Sequence, residues 1–518
     1  MYDVCIIGAG IVGSFLAHDL SKREIRVLLL EKESDVANGA TMANSAIIHA
    51  GNDPKDGTLK ALMNVRGNRM YEDICRELGV AFNRTSALVA ATSPEEEQTL
   101  LERYERALSR GIPAELLTRE EALAKEPNLS SLVTRAMEVP TTGIICPWEV
   151  TIALAEEAVL NGVDLRLDEA VLRIEKNIGG TVGFKGQPDG VPDRKPEGQP
   201  DGKPEGQPDG TPEFTIYTND NIYEAHCIIN CAGIFADQIY AMVSDKNPIP
   251  FAITPRRGEY FVIDKLKVPV VHCVIYPVPS KAGKGILATP TIDGNLLLGP
   301  NAQDIDDCEG INNTYEGLSF VREKITKTVQ NIPMTKVIRQ FAGLRAKGNN
   351  GDFLIEEADD VRHFINVACI DSPGLTSAPA ISEYVIAEFL VKDFPVTMKK
   401  SYMRRRPTVS LRLISAADRA KLVAEDPAFG NIVCRCEQIT EGEILDVIRR
   451  PVGARTVKDV KKRARPGMGR CQGGFCEPRV IEILARELGT AKTDVRYDSP
   501  ASLLLLGETK DVHTEEAP

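Results

Sequence analysis

The sequence lacks the features that would place a chain in a membrane or on nucleic acid. It has no run of about 18 or more uninterrupted apolar residues, so no segment is predicted to span a bilayer. The opening residues lead directly into an apolar segment and leave no room for a signal peptide. Positive charge is in deficit, because 62 Lys and Arg face 74 Asp and Glu, which argues against general affinity for nucleic acid or anionic lipid. We therefore expect a cytoplasmic protein without a transmembrane segment, for which any peripheral membrane contact is made through a partner.

Apolar residues are also missing from one internal segment. Residues 186–212 contain the octet KPEGQPDG twice in tandem, and Val191 is their one apolar residue. Such a segment cannot offset the entropy of ordering its chain. It lies between two strand-like runs, 163–176 and 213–218, so we interpret it as a low-complexity insertion at a hairpin tip, with a docking arm as the alternative. The other residues, within a chain that is 43% hydrophobic and 518 residues long, are enough for about three domains.

The first thirty residues contain a dinucleotide-binding pattern. They are predicted to form a strand, a tight turn, a helix and a second strand. The turn contains Gly8, Gly10 and Gly13 in a G-x-G-x-x-G motif, whose glycines let the backbone approach a pyrophosphate at the helix N-terminus. Glu31 ends the second strand, where a carboxylate accepts hydrogen bonds from an adenosine ribose. A glycine turn used only for close packing would not explain Glu31.

Two later segments are predicted to return to the same nucleotide. The apolar segment 226–237 forms a strand that leads to Gly233. A further strand then places Gly374 and Thr376 at the start of a helix predicted over 376–392, and a helix N-terminus can stabilise negative charge on a flavin ring. Several returns to one ligand favour a long, buried FAD over an exchangeable nicotinamide cofactor.

Separated motifs extend this pattern over residues 1–395. Besides the glycine motif they are GATMANSAIIHAG, PRRGEY, YPVP, LLLGPNA, FAGLRA and SPGLTSA. Together they resemble the glycerol-3-phosphate dehydrogenase and L-2-hydroxyglutarate oxidase group of the D-amino-acid-oxidase-like flavoproteins. The resemblance implies an α/β and α+β protein, in which a Rossmann-like FAD-binding domain is interleaved with a β-rich substrate domain.

The domain boundaries follow from this resemblance and from the patterns along the chain. We expect an FAD-binding domain at 1–83, 146–235 and 341–395, a substrate domain at 84–145 and 236–340, a connector at 396–430, a small helical iron-sulfur module at 431–490, and a tail at 491–518. Further FAD contacts are expected at Lys32, Ala43, Asn44, Ser45 and Leu375.

Oxidation of a secondary alcohol needs a hydride acceptor, a base and a clamp for the anionic group of the substrate. Bound flavin would accept the hydride. His49 is the candidate base, because its ordinary pKa suits proton transfer near neutrality; the alternative is a packing contact with the flavin. Arg345 and Arg257 are candidate clamps for a carboxylate or phosphate, with structural ion pairs as the alternative, and Tyr260 is expected to add a hydroxyl. Lys60 is expected to face solvent.

Four clustered cysteines stand apart from the eight that are scattered, mostly within apolar runs. Cys434, Cys436, Cys471 and Cys476 supply four thiolates, which suit a 2Fe-2S cluster or a structural zinc ion. Zinc sites more often use pairs spaced by two to four residues, so the C-x-C and C-x4-C pairs favour iron. The segment also resembles the bacterioferritin-associated-ferredoxin-like 2Fe-2S domain. We expect a capping box at Thr440 and a further helix from Thr456 within it.

A cluster beside a flavin favours a protein electron acceptor, since a flavin takes two electrons at once and the cluster carries one. The leading hypothesis is an FAD-dependent dehydrogenase of sn-glycerol 3-phosphate that forms dihydroxyacetone phosphate and passes electrons through the cluster to a partner subunit. The alternatives are a dehydrogenase of L-2-hydroxyglutarate or another 2-hydroxy acid, an amino-acid or amine dehydrogenase, and a non-catalytic electron-relay subunit.

Overall fold

A computed structural model describes residues 1–177, 212–279, 285–394 and 397–507. The chain divides into two compact units, one formed by Met1–Lys32 and Val36–Arg405 and the other by Glu33–Asp35 and Arg406–Pro518. The described strands of the first unit are β1 (Tyr2–Ile7), β2 (Val27–Leu30), β3 (Ile47–Ile48), β4 (Phe82–Arg84), β5 (Ala87–Ala91), β6 (Glu115–Thr118), β7 (Arg135–Glu138), β8 (Gly143–Ile145), β9 (Asp164–Arg166), β10 (Val171–Lys176), β11 (Phe214–Thr218), β12 (Ile222–Asn230), β13 (Ile253–Ile263), β14 (Val274–Pro277), β15 (Leu287–Pro290), β16 (Leu296–Gly299), β17 (Gln303–Asp304), β18 (Val337–Gly348), β19 (Leu354–Glu357) and β20 (Phe364–Ala368). Its α-helices are α1 (Ile11–Leu20), α2 (Leu59–Leu78), α3 (Pro94–Ser109), α4 (Arg119–Lys125), α5 (Pro147–Leu160), α6 (Ala236–Ala241), α7 (Tyr315–Lys324) and α8 (Gly374–Val385).

The first large sheet has a parallel centre in the order β9-β2-β1-β12-β20. β1 and β2 are almost wholly buried, as expected of apolar parallel strands that helices cover on their faces. β19 adds an antiparallel strand beside β20. The glycine turn follows β1 in the middle of this sheet, at the carboxyl edge where open α/β sheets bind ligands.

The low-complexity segment lies in sequence between two antiparallel strands at the side of the same sheet. β10 pairs with β11, and β11 pairs with β12. Apart from residue 212, the segment 186–212 lies outside the described residues. The pairing of its two flanking strands agrees with the hairpin expected from the sequence.

Helix α2 has sequence signals at both ends. The Thr58 side chain accepts a hydrogen bond from the Ala61 amide at its start, and Gly79 ends it in the left-handed conformation with φ 65°. In its middle, Gly67 lies against α8: a Cβ atom at Gly67 would lie 2.0 Å from the Thr376 carbonyl oxygen. α8 itself continues as a π-helical turn over Ile386–Leu390, so the helix predicted over 376–392 is present but changes its winding.

The second large sheet has nine strands in the order β17-β13-β16-β15-β14-β5-β7-β6, with β18 beside β13. β18 lies wholly in this sheet, through an antiparallel ladder with β13 that runs from Ile253↔Gly348 to Ile263↔Val337. Residues 341–348 of this strand were expected in the FAD-binding domain, and that domain boundary stays a prediction. The FAGLRA motif therefore belongs to the nine-stranded sheet.

A partly buried polar contact fixes α6 on the first sheet. Asp360 accepts hydrogen bonds from the hydroxyls of Tyr240 (2.5 Å) and Ser244 (2.7 Å) and from the Asp245 amide (2.9 Å). Partial burial acts to raise the pKa of Asp360, but these hydrogen bonds outweigh it and lower the pKa to about 2. The carboxylate is therefore charged at neutral pH and holds the end of α6.

The second unit is a small helical domain. Its described elements are β21 (Ile432–Cys434), β22 (Ile439–Thr440), α9 (Ala416–Glu425), α10 (Glu441–Ile448), α11 (Val457–Ala464) and α12 (Glu477–Leu488). Thr440 with Glu443 forms the predicted capping box, which opens α10. The helix predicted from Thr456 is α11, and a second capping box of Thr456 with Asp459 opens it. The Leu411 amide donates to Glu443, so part of the expected connector packs with this unit. None of the helices in the described ranges combines the length and apolar character needed to cross a bilayer.

Candidate functional site

The glycine turn is shaped by two close backbone approaches. Gly8 has φ 104°, and a Cβ atom there would lie 2.5 Å from the Cys231 carbonyl oxygen. A Cβ atom at Gly13 would lie 2.0 Å from the Gly8 carbonyl oxygen. Gly10 differs, because its nearest neighbour would be the Thr41 hydroxyl at 3.4 Å. Gly8 and Gly13 are thus required for packing, whereas Gly10 leaves space at the N-terminus of α1.

The surroundings of this turn suit a dinucleotide. The Glu31 carboxylate accepts a hydrogen bond from the Ala9 amide at 2.8 Å, which holds it beside the turn. The Ile11 amide donates to the Thr41 hydroxyl at 3.0 Å, and the first turn of α1 contains no acidic residue. A pyrophosphate at this helix end would meet amide donors and no repelling carboxylate from that turn.

Two further predicted FAD contacts lie near one another. Lys32 places its ammonium 4.1 Å from the ring centroid of Phe235, which belongs to the short 3₁₀ turn that begins at Gly233. Gly233 has φ 58°, and a Cβ atom there would meet no atom within 4 Å. The structure thus brings Lys32 close to the turn after β12 and leaves open space at that turn.

The loop before β3 is folded by Asn44. Its side-chain oxygen accepts from the Ala46 amide at 2.7 Å, and its amide donates to the Thr41 carbonyl at 2.9 Å. The loop also meets the second sheet, since a Cβ atom at Gly343 would lie 2.1 Å from the Ala43 carbonyl oxygen. Only a glycine in β18 allows this approach.

Ser45, Tyr260 and Arg345 meet at the same place. The hydroxyls of Ser45 and Tyr260 are 3.2 Å apart, and Tyr260 stacks on Phe341 with ring centroids 4.6 Å apart. Arg345 lies across Gly258, where a Cβ atom would be 2.5 Å from its Nη2, and donates to the Asn301 carbonyl at 2.9 Å. Burial raises the pKa of Tyr260, although Arg345 acts in the opposite direction, so the phenol is neutral.

Arg257 is not brought to this group. In the β13–β18 ladder Tyr260 pairs with Phe341 and Arg256 with Arg345, so residues of even number in β13 share the face with Arg345. Arg257 points to the other face, where it donates to the Gln303 side chain at 2.8 Å and lies 3.8 Å from buried Glu259. These contacts fit the structural ion pair considered as the alternative for this residue.

His49 lines a pocket to which several other elements contribute residues. Its Nδ1 lies 3.1 Å from the hydroxyl of Tyr276, which belongs to β14. Asp53, Arg103 and Pro373 also line the pocket, and Arg103 donates to Asp53 at 2.7 Å. Arg103 comes from α3, whose sequence shows nothing beyond an ordinary polar helix. Tyr276 was noted only as part of the YPVP motif.

The start of α8 completes this region. The His49 amide donates to the Thr376 hydroxyl at 2.9 Å, and Tyr71 donates to the Leu375 carbonyl at 2.5 Å. Gly374 is the first residue of the helix, after Pro373. Lys60 does not face solvent as expected: its ammonium lies 2.6 Å from the Asp371 carboxylate, just before this turn.

The four clustered cysteines form two pairs. The sulfurs of Cys436 and Cys471 are 3.7 Å apart, and a hydrogen bond from Cys476, with several from backbone amides, holds the pKa of Cys434 below its usual value. Among the described residues no group of three or more His, Cys, Asp or Glu side chains is arranged around a single metal ion. Two pairs fit a dinuclear cluster, in which each iron takes two cysteines. Cys434 and Cys476 are buried, whereas Cys436 is exposed and Cys471 half-buried.

Family comparisons match both parts of the chain. Residues 3–388 match the family described as FAD dependent oxidoreductase, and residues 432–486 match the BFD-like 2Fe-2S binding domain. 

Individual relatives match different shares of the chain. A protein of Caloramator mitchellensis named glycerol 3-phosphate dehydrogenase is 46% identical over 514 residues, which are 98% of this chain and 99% of that protein. The L-2-hydroxyglutarate dehydrogenase of Escherichia coli (strain K12) is 31% identical over 306 residues, 58% of this chain and 64% of that protein. The solved structure of dithionite-reduced L-alpha-glycerophosphate oxidase from Mycoplasma pneumoniae with FAD bound superposes with a TM-score of 0.69 at 25% identity, over 79% of this chain and 99% of that one.

Proposed function

Since the chain belongs to the FAD dependent oxidoreductase family and carries a BFD-like 2Fe-2S binding domain, we propose that it oxidises sn-glycerol 3-phosphate to dihydroxyacetone phosphate. The observation that carries this proposal is the similarity to the Caloramator glycerol 3-phosphate dehydrogenase, which extends at 46% identity over both parts of the chain. The electrons leave through the cluster to a protein partner. The enzyme works in the cytoplasm, where a reducing environment suits a chain with twelve cysteines.

The contacts of Arg345 support an anionic substrate. Its guanidinium lies across Gly258, next to the hydroxyls of Tyr260 and Ser45, so a cation and two hydroxyls converge. A guanidinium fork binds a phosphate or carboxylate through two parallel hydrogen bonds. Arg345 binds the phosphate of the substrate in this proposal, and Tyr260 and Ser45 orient it.

His49 supports the removal of a proton. It lies beside α8, in the pocket that also contains Tyr276 and Asp53. When bound, FAD supplies a two-electron acceptor for the hydride of the carbinol carbon. His49 accepts the hydroxyl proton of the substrate, which general-base catalysis requires to move as the carbonyl forms.

The exposure of the cysteine pairs supports electron transfer to a protein. Cys436 and Cys471 are the outer pair, and Phe475 between Cys471 and Cys476 is 83% exposed. A large exposed aromatic side chain next to a redox centre is typical of an interaction surface. Exposed Arg435 adds positive charge there, which favours an acidic one-electron carrier.

Anaerobic mixing tests the substrate. The purified holoenzyme is mixed with sn-glycerol 3-phosphate, L-2-hydroxyglutarate, glycerol and a set of amino acids, and bleaching of the flavin absorbance is followed. We expect rapid bleaching by sn-glycerol 3-phosphate and none by glycerol, which lacks the phosphate. Bleaching by another compound alone would replace the proposed substrate.

L-2-hydroxyglutarate is the second candidate, because of the 31% identity to the Escherichia coli dehydrogenase of that acid. Arg345 suits its carboxylates as well as a phosphate. The shorter match, which covers 58% of this chain, places it behind sn-glycerol 3-phosphate.

A further inference from the structure

Tyr276 contacts the proposed catalytic base through the base's own ring. Its hydroxyl lies 3.1 Å from Nδ1 of His49, and the two rings are tilted by 46° with centroids 6.1 Å apart. Tyr276 is 227 residues away from His49 in sequence. It belongs to β14, which lies in the second sheet. This contact therefore exists only because the substrate-side sheet is placed against the loop after β3.

The backbone of His49 is fixed independently of Tyr276. Its amide donates to Thr376 at 2.9 Å, and its carbonyl accepts from the side chains of Asn64 at 2.7 Å and Asn68 at 3.0 Å. These hydrogen bonds to α2 and α8 hold the backbone of His49 and do not act on its ring, whose Nδ1 contacts Tyr276. The Tyr276 hydroxyl is in position to orient that ring.

The direction of the hydrogen bond decides what His49 can do. If Nδ1 carries the proton and donates to the phenol oxygen, Nε2 has a lone pair and can act as a base. If the phenol donates to Nδ1, Nε2 carries the proton and can only donate. A base that accepts a proton at Nε2 becomes an imidazolium, and its Nδ1–H then needs an acceptor.

We propose that Tyr276 is a positioning residue that accepts a hydrogen bond from Nδ1 of His49 and so keeps Nε2 available as the base. The proposal rests on the proposed oxidation of sn-glycerol 3-phosphate. In that step the O–H bond of the substrate hydroxyl breaks and an N–H bond forms at Nε2 of His49, while the electron pair of the C–H bond leaves with the hydride for the bound FAD. Tyr276 neither gains nor loses a proton.

The charged groups of the pocket agree with this role. Asp53 and Arg103 line the pocket and pair with each other at 2.7 Å, while the side chains that approach from α2 and α8 are the neutral Asn64, Asn68 and Thr376. Burial raises the pKa of Tyr276 well above its usual value, and the Asp53 carboxylate and Cys273 add to this. Tyr276 therefore stays a neutral phenol, whose oxygen can accept, when His49 becomes positively charged.

The test compares Tyr276→Phe with Tyr223→Phe. Tyr223 is also buried, and its hydroxyl donates to Glu169 at 2.8 Å, so its replacement removes one buried hydrogen bond away from the pocket. Anaerobic flavin reduction by sn-glycerol 3-phosphate is measured against pH for both variants. For Tyr276→Phe we expect the rate constant of flavin reduction to be about 10- to 100-fold lower, with the KM changed less than about threefold. We also expect the acid limb of the pH–rate profile, where activity falls as His49 is protonated, to move to lower pH. The limb moves down because the imidazolium of His49 loses its acceptor.

Two results would overturn the proposal. An unchanged rate constant and acid limb in Tyr276→Phe would remove any positioning role, and an acid limb moved to higher pH would mean that the phenol donates to His49. Tyr223→Phe is expected to keep the wild-type rate constant and pH profile. Equal losses in both variants would show a general effect of losing a buried hydroxyl.

A second measurement does not depend on turnover. ¹⁵N resonances of labelled histidine in the resting holoenzyme distinguish protonated from unprotonated ring nitrogens. The chain has six histidines, so His49→Gln identifies the signal of His49. We expect protonated Nδ1 and unprotonated Nε2 in the neutral ring, and the reverse would contradict the proposal. If sn-glycerol 3-phosphate fails to bleach the wild-type flavin, the proposed function fails, while this measurement still decides the tautomer.

Discussion

The alternation of side chains along β13 makes a sharp prediction for two arginines, Arg345 and Arg257. Arg345 lies with Tyr260 on the face that meets the loop before β3, whereas Arg257 lies on the other face beside buried Glu259. We expect Arg345→Met to remove substrate binding with little loss of stability. We expect Arg257→Met to destabilise the fold with little effect on substrate binding.

The sizes of both effects follow from the contacts. Two charge-assisted hydrogen bonds to a phosphate are worth about 3 to 5 kcal/mol together, so Arg345→Met should lower kcat/KM by roughly 100- to 5,000-fold. Arg345→Lys keeps the charge but loses the fork, and we expect a loss nearer 10-fold. Arg257→Met leaves Glu259, which is 0% exposed, without its cation. Breaking a buried pair in this way costs about 3 kcal/mol or more, which corresponds to a Tm roughly 5 °C lower.

Steady-state kinetics with sn-glycerol 3-phosphate and thermal unfolding of the holoenzyme separate these outcomes. Both methionine variants are compared with the wild type at the same FAD content. If Arg257→Met lost kcat/KM as strongly as Arg345→Met and kept the wild-type Tm, the assignment of the two faces would be refuted.

Three further predictions concern other parts of the chain. Cys471→Ser should keep substrate-driven bleaching of the flavin, lose the cluster absorbance, and transfer electrons to an acidic ferredoxin at least about 10-fold more slowly. The control Cys308→Ser should keep the cluster absorbance and the rate of electron transfer. Lost bleaching in Cys471→Ser would contradict a relay role. The pKa of Asp360 is lowered from 3.8 to about 2, so its carboxylate stabilises the fold above pH 3.8 and loses this effect as the pH falls through about 2. The Tm of Asp360→Asn should therefore fall less than the Tm of the wild type between about pH 5 and pH 2. Parallel Tm curves of the two proteins would contradict this. Gly343→Ala should weaken FAD retention, measured by flavin fluorescence released on dilution, because a Cβ atom there lies 2.1 Å from the Ala43 carbonyl; unchanged retention would mean that the loop can move aside.

Much of the fold could be predicted because its signals are local. The glycine turn, the caps of α2 and the capping boxes of the small domain each lie within a few residues and appear in the structure. The predictions of an FAD-binding oxidoreductase and of a 2Fe-2S domain are confirmed by the family matches. The enzyme class also removes the non-catalytic relay as an account of the whole chain.

The site was harder to predict, because its contacts join distant segments. Tyr276 and Arg103 reach the His49 pocket from β14 and α3, and no local pattern marks either one. Arg257 is different, since the sequence did contain the needed signal. In a strand, residues 257 and 260 have opposite parity and must point to opposite faces, so Arg257 and Tyr260 could not both have lined one site.

The unequal depth of the cysteine pairs also bears on how the protein withstands air. Oxidants reach an accessible thiolate first, so with a 2Fe-2S cluster bound, damage would start at Cys436 and Cys471 and would reach the buried Cys434 and Cys476 last. Material purified aerobically would then be yellow and able to reduce dyes while its one-electron outlet was already broken. An assay with an artificial acceptor would not detect this defect, and iron content should be measured beside flavin content in every preparation.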